Sequence, residues 1–438
     1  MAILPKGNKK LLNAWAFYDW ANSVYSLVIA SAVFPIFYGT LTLVKDDQGN
    51  ILDDTITFLG FDFNNDTLIS LVTGAAFLVV SFLSPLLSGI ADYVGNKKIF
   101  MKFFCYLGAV SCIGLYWFSL EYLWFGLLCY FLALIGFWSS LVFYNSYLPD
   151  IAFHEQQDKI SAKGYSMGYI GSVILLLLCL AMILKYDTFG FEDKSVPTRL
   201  SFVLTGIWWI VFSQYTYYYL PKGKKEQKFT NHLLLNGFKE LKMIWDKMKH
   251  NLRLKRFLTA FFVYSMAVQT IMLVATYFGI EELDWGDSDS TTGLIVSILL
   301  IQLVAVLGAF LTARSSAKFG NIRTLKALNF IWIAICVYAY TITSPTQFYV
   351  TASAVGLVMG GIQSLSRSTY SKFLPEDAVD TTSYFSFYDV SEKIGIVIGM
   401  FSYGYVAQVT GSIRYAILFL IVFFIVGLLL LFRVPRNS

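Results

Sequence analysis

The sequence predicts an all-α membrane protein whose twelve transmembrane helices form two pseudo-symmetric six-helix bundles. Three observations carry this. Of the 438 residues, 57% are hydrophobic and only 14% charged, against about 25% charged in soluble domains, and mean hydropathy is +0.61. Twelve apolar segments follow one another, near 12–43, 67–91, 98–120, 122–147, 160–184, 199–220, 257–281, 291–316, 322–343, 346–372, 381–407 and 413–433; a bilayer needs about 20 residues per helix. The chain also repeats itself. VGNKK at Val94–Lys98 aligns with FGNIR at Phe319–Arg323, an offset of 225, and YNSYLPD at Tyr144–Asp150 aligns with YSKFLPE at Tyr370–Glu376, an offset of 226. Each pair falls after the second or the fourth segment of its half. A tandem six-helix repeat is the plan of a carrier whose halves rock around a central site.

The elements follow in order. The basic start MAILPKGNKK leads into an apolar run longer than a signal-peptide core, so no cleaved leader is expected. Residues 45–66 carry six acids (Asp46, Asp47, Asp53, Asp54, Asp62, Asp66) against Lys45, and 281–290 carry five acids and no base. The turns on the other side hold Lys97 and Lys98, then Arg314, Lys318, Arg323 and Lys326. Residues 221–256 hold eleven Lys or Arg against three acids. Lys and Arg favour the cytoplasmic side, so both termini and 221–256 are expected there. The chain thus divides into an N-terminal bundle (1–220), a basic linker (221–256) and a C-terminal bundle (257–438). Within the linker, Leu234, Phe238, Leu241, Trp245, Met248 and Leu252 recur at three- and four-residue steps among lysines, the pattern of a helix lying on an anionic membrane surface or meeting a partner helix. Pro149 and Pro375 lack an amide donor and should end their helices, with the following acid capping the next turn.

Composition also excludes chemistry. No phosphate-binding loop of the G-x-x-x-x-G-K-[ST] kind occurs, which argues against ATP-driven pumping. The three histidines (His154, His232, His250) lie in loops, and the five cysteines lie in apolar segments without metal-ligand spacing. Hence no enzyme activity, resident cofactor, metal, disulfide or nucleic-acid partner is expected.

The informative residues are polar ones inside apolar segments, where a charge costs roughly 2.5–3.5 kcal/mol at the bilayer centre and must face protein or water. Segment 1 carries Tyr18, Asp19 and Asn22. Tyr18 and Asn22 share one stripe; Asp19 and Ser23 share the next. They can line a cavity, or Asp19 can reach the membrane edge or pair with Arg367. Segment 10 carries Gln363 and Arg367 four apart. Arg367 can snorkel to the cytoplasmic edge, hold an anionic substrate group, or meet a carboxylate of segment 1 or 11. Gln269 on segment 7 and Gln302 on segment 8 can contact substrate or a neighbouring helix, and Asn145 near the end of segment 4 can cap or contact. Segment 11 carries Asp389, Glu392 and Lys393 at roughly 12–18 Å depth. Asp389 and Lys393 can pair, leaving Glu392 to face the cavity. The trio reads either as a brace or as a substrate or proton site.

These residues resemble a known family. YDWANS (Tyr18–Ser23), ADYVGNKK (Ala91–Lys98), YNSYLPDIA (Tyr144–Ala152), GYSMGYIGS (Gly164–Ser172), GGIQSLSRS (Gly360–Ser368) and FSFYDVSEKIG (Phe385–Gly395) are similar to the major facilitator superfamily. More narrowly, they resemble its vacuolar-effluxer-like family, whose yeast founder is linked to amino-acid release and which has many bacterial members. The superfamily loop has the pattern G-x-x-x-D-R-x-G-R-K. Asp92, Gly95 and Lys97 fit it, while Ser88, Tyr93 and Asn96 depart from it. The resemblance implies that Asp92 helps lock the halves on the cytoplasmic side, and Ala317 in the second copy implies asymmetric gating charge. It further implies an efflux-type carrier of small solutes, amino acids first; the compact loops point to a bacterial inner membrane, the depth of Asp389 and Glu392 points to proton coupling, and an alternating-access monomer is expected. On the residues alone two rivals stand: an exporter of amphipathic drugs or lipid-like metabolites, suited to the 18% aromatic content, and a non-transporting receptor or scaffold.

Overall fold

The protein is described by a computed structural model covering residues 4–45, 51–53, 55–222, 233–285, 290–375 and 378–435. Asp46, Asp47, Asp54, Asp287, Asp289, Glu376 and the linker lysines Lys224, Lys225 and Lys228 lie outside the described residues, as does the side chain of Leu234.

The first span is built in three pieces. Asn8 opens α1 (Lys9–Val24) by accepting from the amides of Lys10 and Leu11. Nine residues of π-helix follow, Tyr25–Val33. Then α2 (Phe34–Thr42) has Pro35 in its first turn, where the missing N–H leaves nothing unpaired. Sequence reading takes 45–66 as loop, yet it holds two antiparallel hairpins, β1 (Val44–Lys45) with β2 (Ile51–Asp53) and β3 (Thr55–Phe58) with β4 (Phe61–Asn64).

The rest of the N-terminal half is α3 (Asn65–Val94), α4 (Lys97–Gly114), α5 (Leu123–Asn145), the single turn α6 (Leu148–Ile151), α7 (His154–Leu184) and α8 (Ser195–Tyr219). The linker helix α9 (Leu233–His250) leads to α10 (Leu252–Glu281), α11 (Ser290–Phe319), α12 (Asn321–Thr341), α13 (Pro345–Phe373), α14 (Thr381–Thr410) and α15 (Ile413–Phe432). Among the described residues eleven helical segments are long and apolar enough to cross a membrane. The 30-residue α14, which carries Asp389, Glu392 and Lys393, is not among these eleven. Leu78, Phe82, Leu307, Phe401 and Leu429 remain more than half exposed on the outside, a surface that lipid covers.

Buried apolar residues gather in two clusters. One runs from Leu11 to Leu220; the other joins Tyr169 to residues between Ile244 and Val434. Small residues fuse pairs of helices inside each. A β-carbon on Gly164, Gly168 or Gly171 of α7 would strike Asp19, Ser23 or Trp20 of α1, and one on Gly356 or Gly360 of α13 would strike the backbone of α11 at Ile301 or Ala305. Such spacing lets helix backbones touch where apolar burial alone gives helices no reason to associate in lipid. The turns at 95–96, 146–153 and 320 lie with α9 at one end of the bundle, here termed the linker face.

Candidate functional site

The two halves are tied together from the linker face to the middle of the bundle. The first tie is Asp92, at the end of α3. Its Oδ1 accepts from the Thr382 amide at 3.3 Å and its Oδ2 from the Ser383 amide at 2.6 Å. These are orphan donors at the start of α14, where the helix dipole also favours an anion. Asp380, the residue before that helix, gives no side-chain cap, so the cap comes from the other half. Gly95 ends α3 with φ +75°, a left-handed conformation open to glycine. The chain then turns so that Lys97 donates to the Ser146 carbonyl (2.9 Å), Asp150 Oδ2 (2.6 Å) and Thr381 Oγ1 (2.9 Å). Asp150 therefore pairs with Lys97 and does not cap the turn after Pro149, which corrects the expectation for that turn; no side-chain cap is seen on α6.

A second tie was not foreseen. Asp158, on the first turns of α7, accepts from Ser316 Oγ (2.9 Å) on α11, Asn321 Nδ2 (2.9 Å) on α12 and Lys372 Nζ (2.6 Å) on α13. Asn321 belongs to the repeated loop of the second half, the copy in which Ala317 replaces the aspartate.

Deeper lies the pair of Asp19 and Arg367. Arg367 is 2% exposed and Asp19 4%, so the snorkelling reading of Arg367 is not what the structure holds. Both terminal nitrogens of Arg367 donate to Asp19 Oδ2, at 3.3 and 3.2 Å. Nη1 also reaches Asn145 Oδ1 (3.2 Å), Nη2 the Ser161 carbonyl (3.0 Å) and Nε the Ser161 hydroxyl (3.0 Å). All five N–H bonds of the guanidinium are thus satisfied. Tyr144 donates to the same Asp19 oxygen at 2.9 Å, while among the described residues Oδ1 takes no hydrogen bond. The cation is walled by Trp15 and Tyr165, with ring centroids 4.8 and 4.2 Å from Cζ, a favourable setting for a desolvated guanidinium. A cation of α13 and an anion of α1 therefore meet across the halves, with α5 and α7 completing the shell.

The third polar group is on α14. Lys393 donates to Asp389 Oδ1 (2.8 Å) and Glu392 Oε2 (2.9 Å), and Gln269 of α10 donates to Glu392 Oε1 (2.8 Å). Glu392 thus joins the cluster, where the sequence suggested it would stand apart. One ammonium lies between two carboxylates, and among the described residues the buried Asp389 Oδ2 has no partner. Lys393 Nζ also sits 3.7 Å from the Trp138 ring of the opposite half. Gln363 accepts from Tyr169 across the halves at 2.9 Å. Tyr18 and Asn22 are brought elsewhere. Tyr18 is fully buried against Tyr144 and Tyr217 inside the N-terminal bundle, and Asn22, 1% exposed, accepts from Ser23.

The architecture and the sequence place this chain among known proteins. Its fold matches the outward conformation of the major facilitator superfamily transporter FucP with a TM-score of 0.70 at 13% identity, covering 98% of this chain and 99% of that one. It also matches the human organic anion transporter MFSD10 with a TM-score of 0.71 at 11% identity, covering 97% and 99%. In sequence it is 32% identical over 433 residues to the MFS-type transporter YxiO of Bacillus subtilis, covering 97% of this chain and 95% of the relative. It is 23% identical over 520 residues to autophagy-related protein 22-1 of Phaeosphaeria nodorum, covering 94% and 87%. The model of the family described as "Vacuole effluxer Atg22 like" matches residues 7–438. The chain belongs to the Atg22-like vacuole effluxer family and is a transporter of the major facilitator type.

Proposed function

We propose that this protein is a monomeric alternating-access carrier that exports small zwitterionic metabolites, amino acids above all, across a bacterial inner membrane. The linker face, rich in Lys and Arg, is the cytoplasmic one in this reading. The single observation that carries the substrate class is the Asp19–Arg367 pair. Its two charges come from opposite halves, so parting the linker face leaves both buried charges unmatched. A buried charge without a partner is strongly unfavourable. A substrate with one ammonium and one carboxylate answers both needs, with Asp19 taking the ammonium and Arg367 the carboxylate. Tyr144 and Asn145 orient that pair, and Gln363 lies four residues before Arg367 on the same helix. Outward direction is supported by the family's description as effluxers.

A proton is the coupling ion in this reading. Asp389, Glu392 and Lys393 sum to one negative charge when all are ionised, and Asp389 keeps one buried oxygen without a partner among the described residues. One proton balances the cluster.

Counterflow in proteoliposomes tests both claims. Vesicles preloaded with unlabelled amino acids should accumulate labelled ones in a protein-dependent way. Asp19→Asn should abolish this exchange. Asp389→Asn should retain it but lose uptake driven by a pH gradient. If no amino acid exchanges, the zwitterion reading is wrong and amphipathic compounds take its place in the same assay. If Asp389→Asn and Glu392→Gln both keep gradient-driven uptake, the proton is coupled elsewhere.

A further inference from the structure

The linker helix has two working sides. One is docked on the bundle: Gly237, Ile244 and Met248 are buried. The approach of α9 to α3 is so close that a β-carbon on Gly89 would strike the Gly237 backbone. The same helix reaches the other half, with the Trp245 ring 5.4 Å from Phe387 of α14 and Lys247 3.9 Å from Asp380. α9 therefore straddles α3 and α14, the two helices joined by Asp92.

The next flank of α9 has a different composition. Phe238 is 58% exposed and Trp245 47%. They are seven residues apart, about two helical turns, and so lie along one line. Lys242 and Lys249, both exposed, run beside that line, and Lys249 Nζ is 5.7 Å from the Trp245 ring. Exposed aromatic rings bordered by lysines suit the boundary between acyl chains and headgroups. The lysine stems can lie along the apolar layer while the ammonium groups reach the phosphates. Zwitterionic lipid would satisfy the rings; the helix's four lysines outnumber its two acids, Glu240 and Asp246, the latter 3.2 Å from Lys249, and this remaining positive charge calls for anionic headgroups.

We propose that the flank formed by Phe238, Lys242, Trp245 and Lys249 binds anionic phospholipid headgroups, and that its occupancy holds the linker face closed. The reading is independent of the transported substrate.

The test uses the full chain in nanodiscs of phosphatidylcholine alone or mixed equally with phosphatidylglycerol. Brominated lipids quench nearby tryptophan, and the difference between wild type and Trp245→Phe isolates Trp245. Brominated phosphatidylglycerol should quench Trp245 more strongly than brominated phosphatidylcholine, and high salt should erase the preference. The double variant Lys242→Glu/Lys249→Glu, which leaves the docked side intact, should lose about fivefold of that preference per lysine. Equal quenching by the two lipids, or quenching by neither, overturns the headgroup assignment. For the second claim, spin labels are placed at the exposed positions Glu155→Cys and Arg323→Cys, on opposite halves of the linker face; the five native cysteines are buried. Phosphatidylglycerol should enrich the short-distance population, and the lysine double variant should not respond. A distance distribution indifferent to phosphatidylglycerol overturns the link to closure even if the headgroups bind.

Discussion

Asp92 and Asp158, both of the N-terminal half, stand at two joints that the repeat relates, yet they hold on to different kinds of partner. Each joins a repeated loop of one half to the fifth spanning helix of the other. At the first joint the carboxylate stands at the α3–α4 turn and takes two backbone amides of α14. At the second the loop position matching Asp92 is Ala317, and the carboxylate stands on the helix, collecting Ser316, Asn321 and Lys372. The joint needs a buried carboxylate between loop and helix, but not at one fixed position. The partners also differ in what mutation can reach. Backbone amides survive any side-chain change that keeps the helix; Lys372 does not.

The comparison can be broken or sharpened with the label pair at Glu155 and Arg323 as a ruler. The largest shift is expected from Asp158→Ala. It strands a lysine 18% exposed beside a carboxylate site 9% exposed, between the limits for surface and buried pairs, so about 2 kcal/mol toward the open linker face. A double-mutant cycle of Asp158→Ala with Lys372→Ala should show a coupling energy of about 1–2 kcal/mol. Asp92→Ala should cost about 1 kcal/mol, the scale of a helix cap. Its cycle with Ser383→Ala should be additive within about 0.5 kcal/mol, because the donor is the backbone; a larger coupling would mean that the Ser383 side chain matters. The smallest effect belongs to Ala317→Asp. That position is exposed, so the new carboxylate should shift the distribution by less than about 0.5 kcal/mol and should not rescue Asp158→Ala.

Much of the fold was legible because apolar length and loop charge are local signals. The twelve spans, the basic linker and the offsets of 225 and 226 needed no tertiary information. The charged residues of segments 1, 10 and 11 stood out for the same reason, since lipid cannot solvate them. Their partners were harder. Asp19 and Arg367 are 348 residues apart, and no periodicity chooses among the three fates open to Arg367. Asp158 hid in HEQQDK, a polar run ahead of the apolar segment starting at 160; α7 begins at His154 and carries that run into the interface. The glycines of GYSMGYIGS were a signal left unused: three- and four-residue spacing marks the face of α7 that touches α1. Nothing in Tyr25–Val33 announces a π-helix, and the hairpins of 44–64 were masked by an excess of acids.

The fused helix pairs have a kinetic consequence. Asp19 rides on α1 and Asp158 on α7, which Gly164, Gly168 and Gly171 bind into one body; Arg367 and Lys372 ride on α13 and Ser316 on α11, likewise bound through Gly356 and Gly360. Both contacts span the same two bodies, so release at the linker face is expected to be an all-or-none event whose activation barrier contains both contacts, as in packed interfaces that switch between two arrangements. Weakening either contact should speed the same single step, and time-resolved traces of closure should fit one exponential with no half-open species.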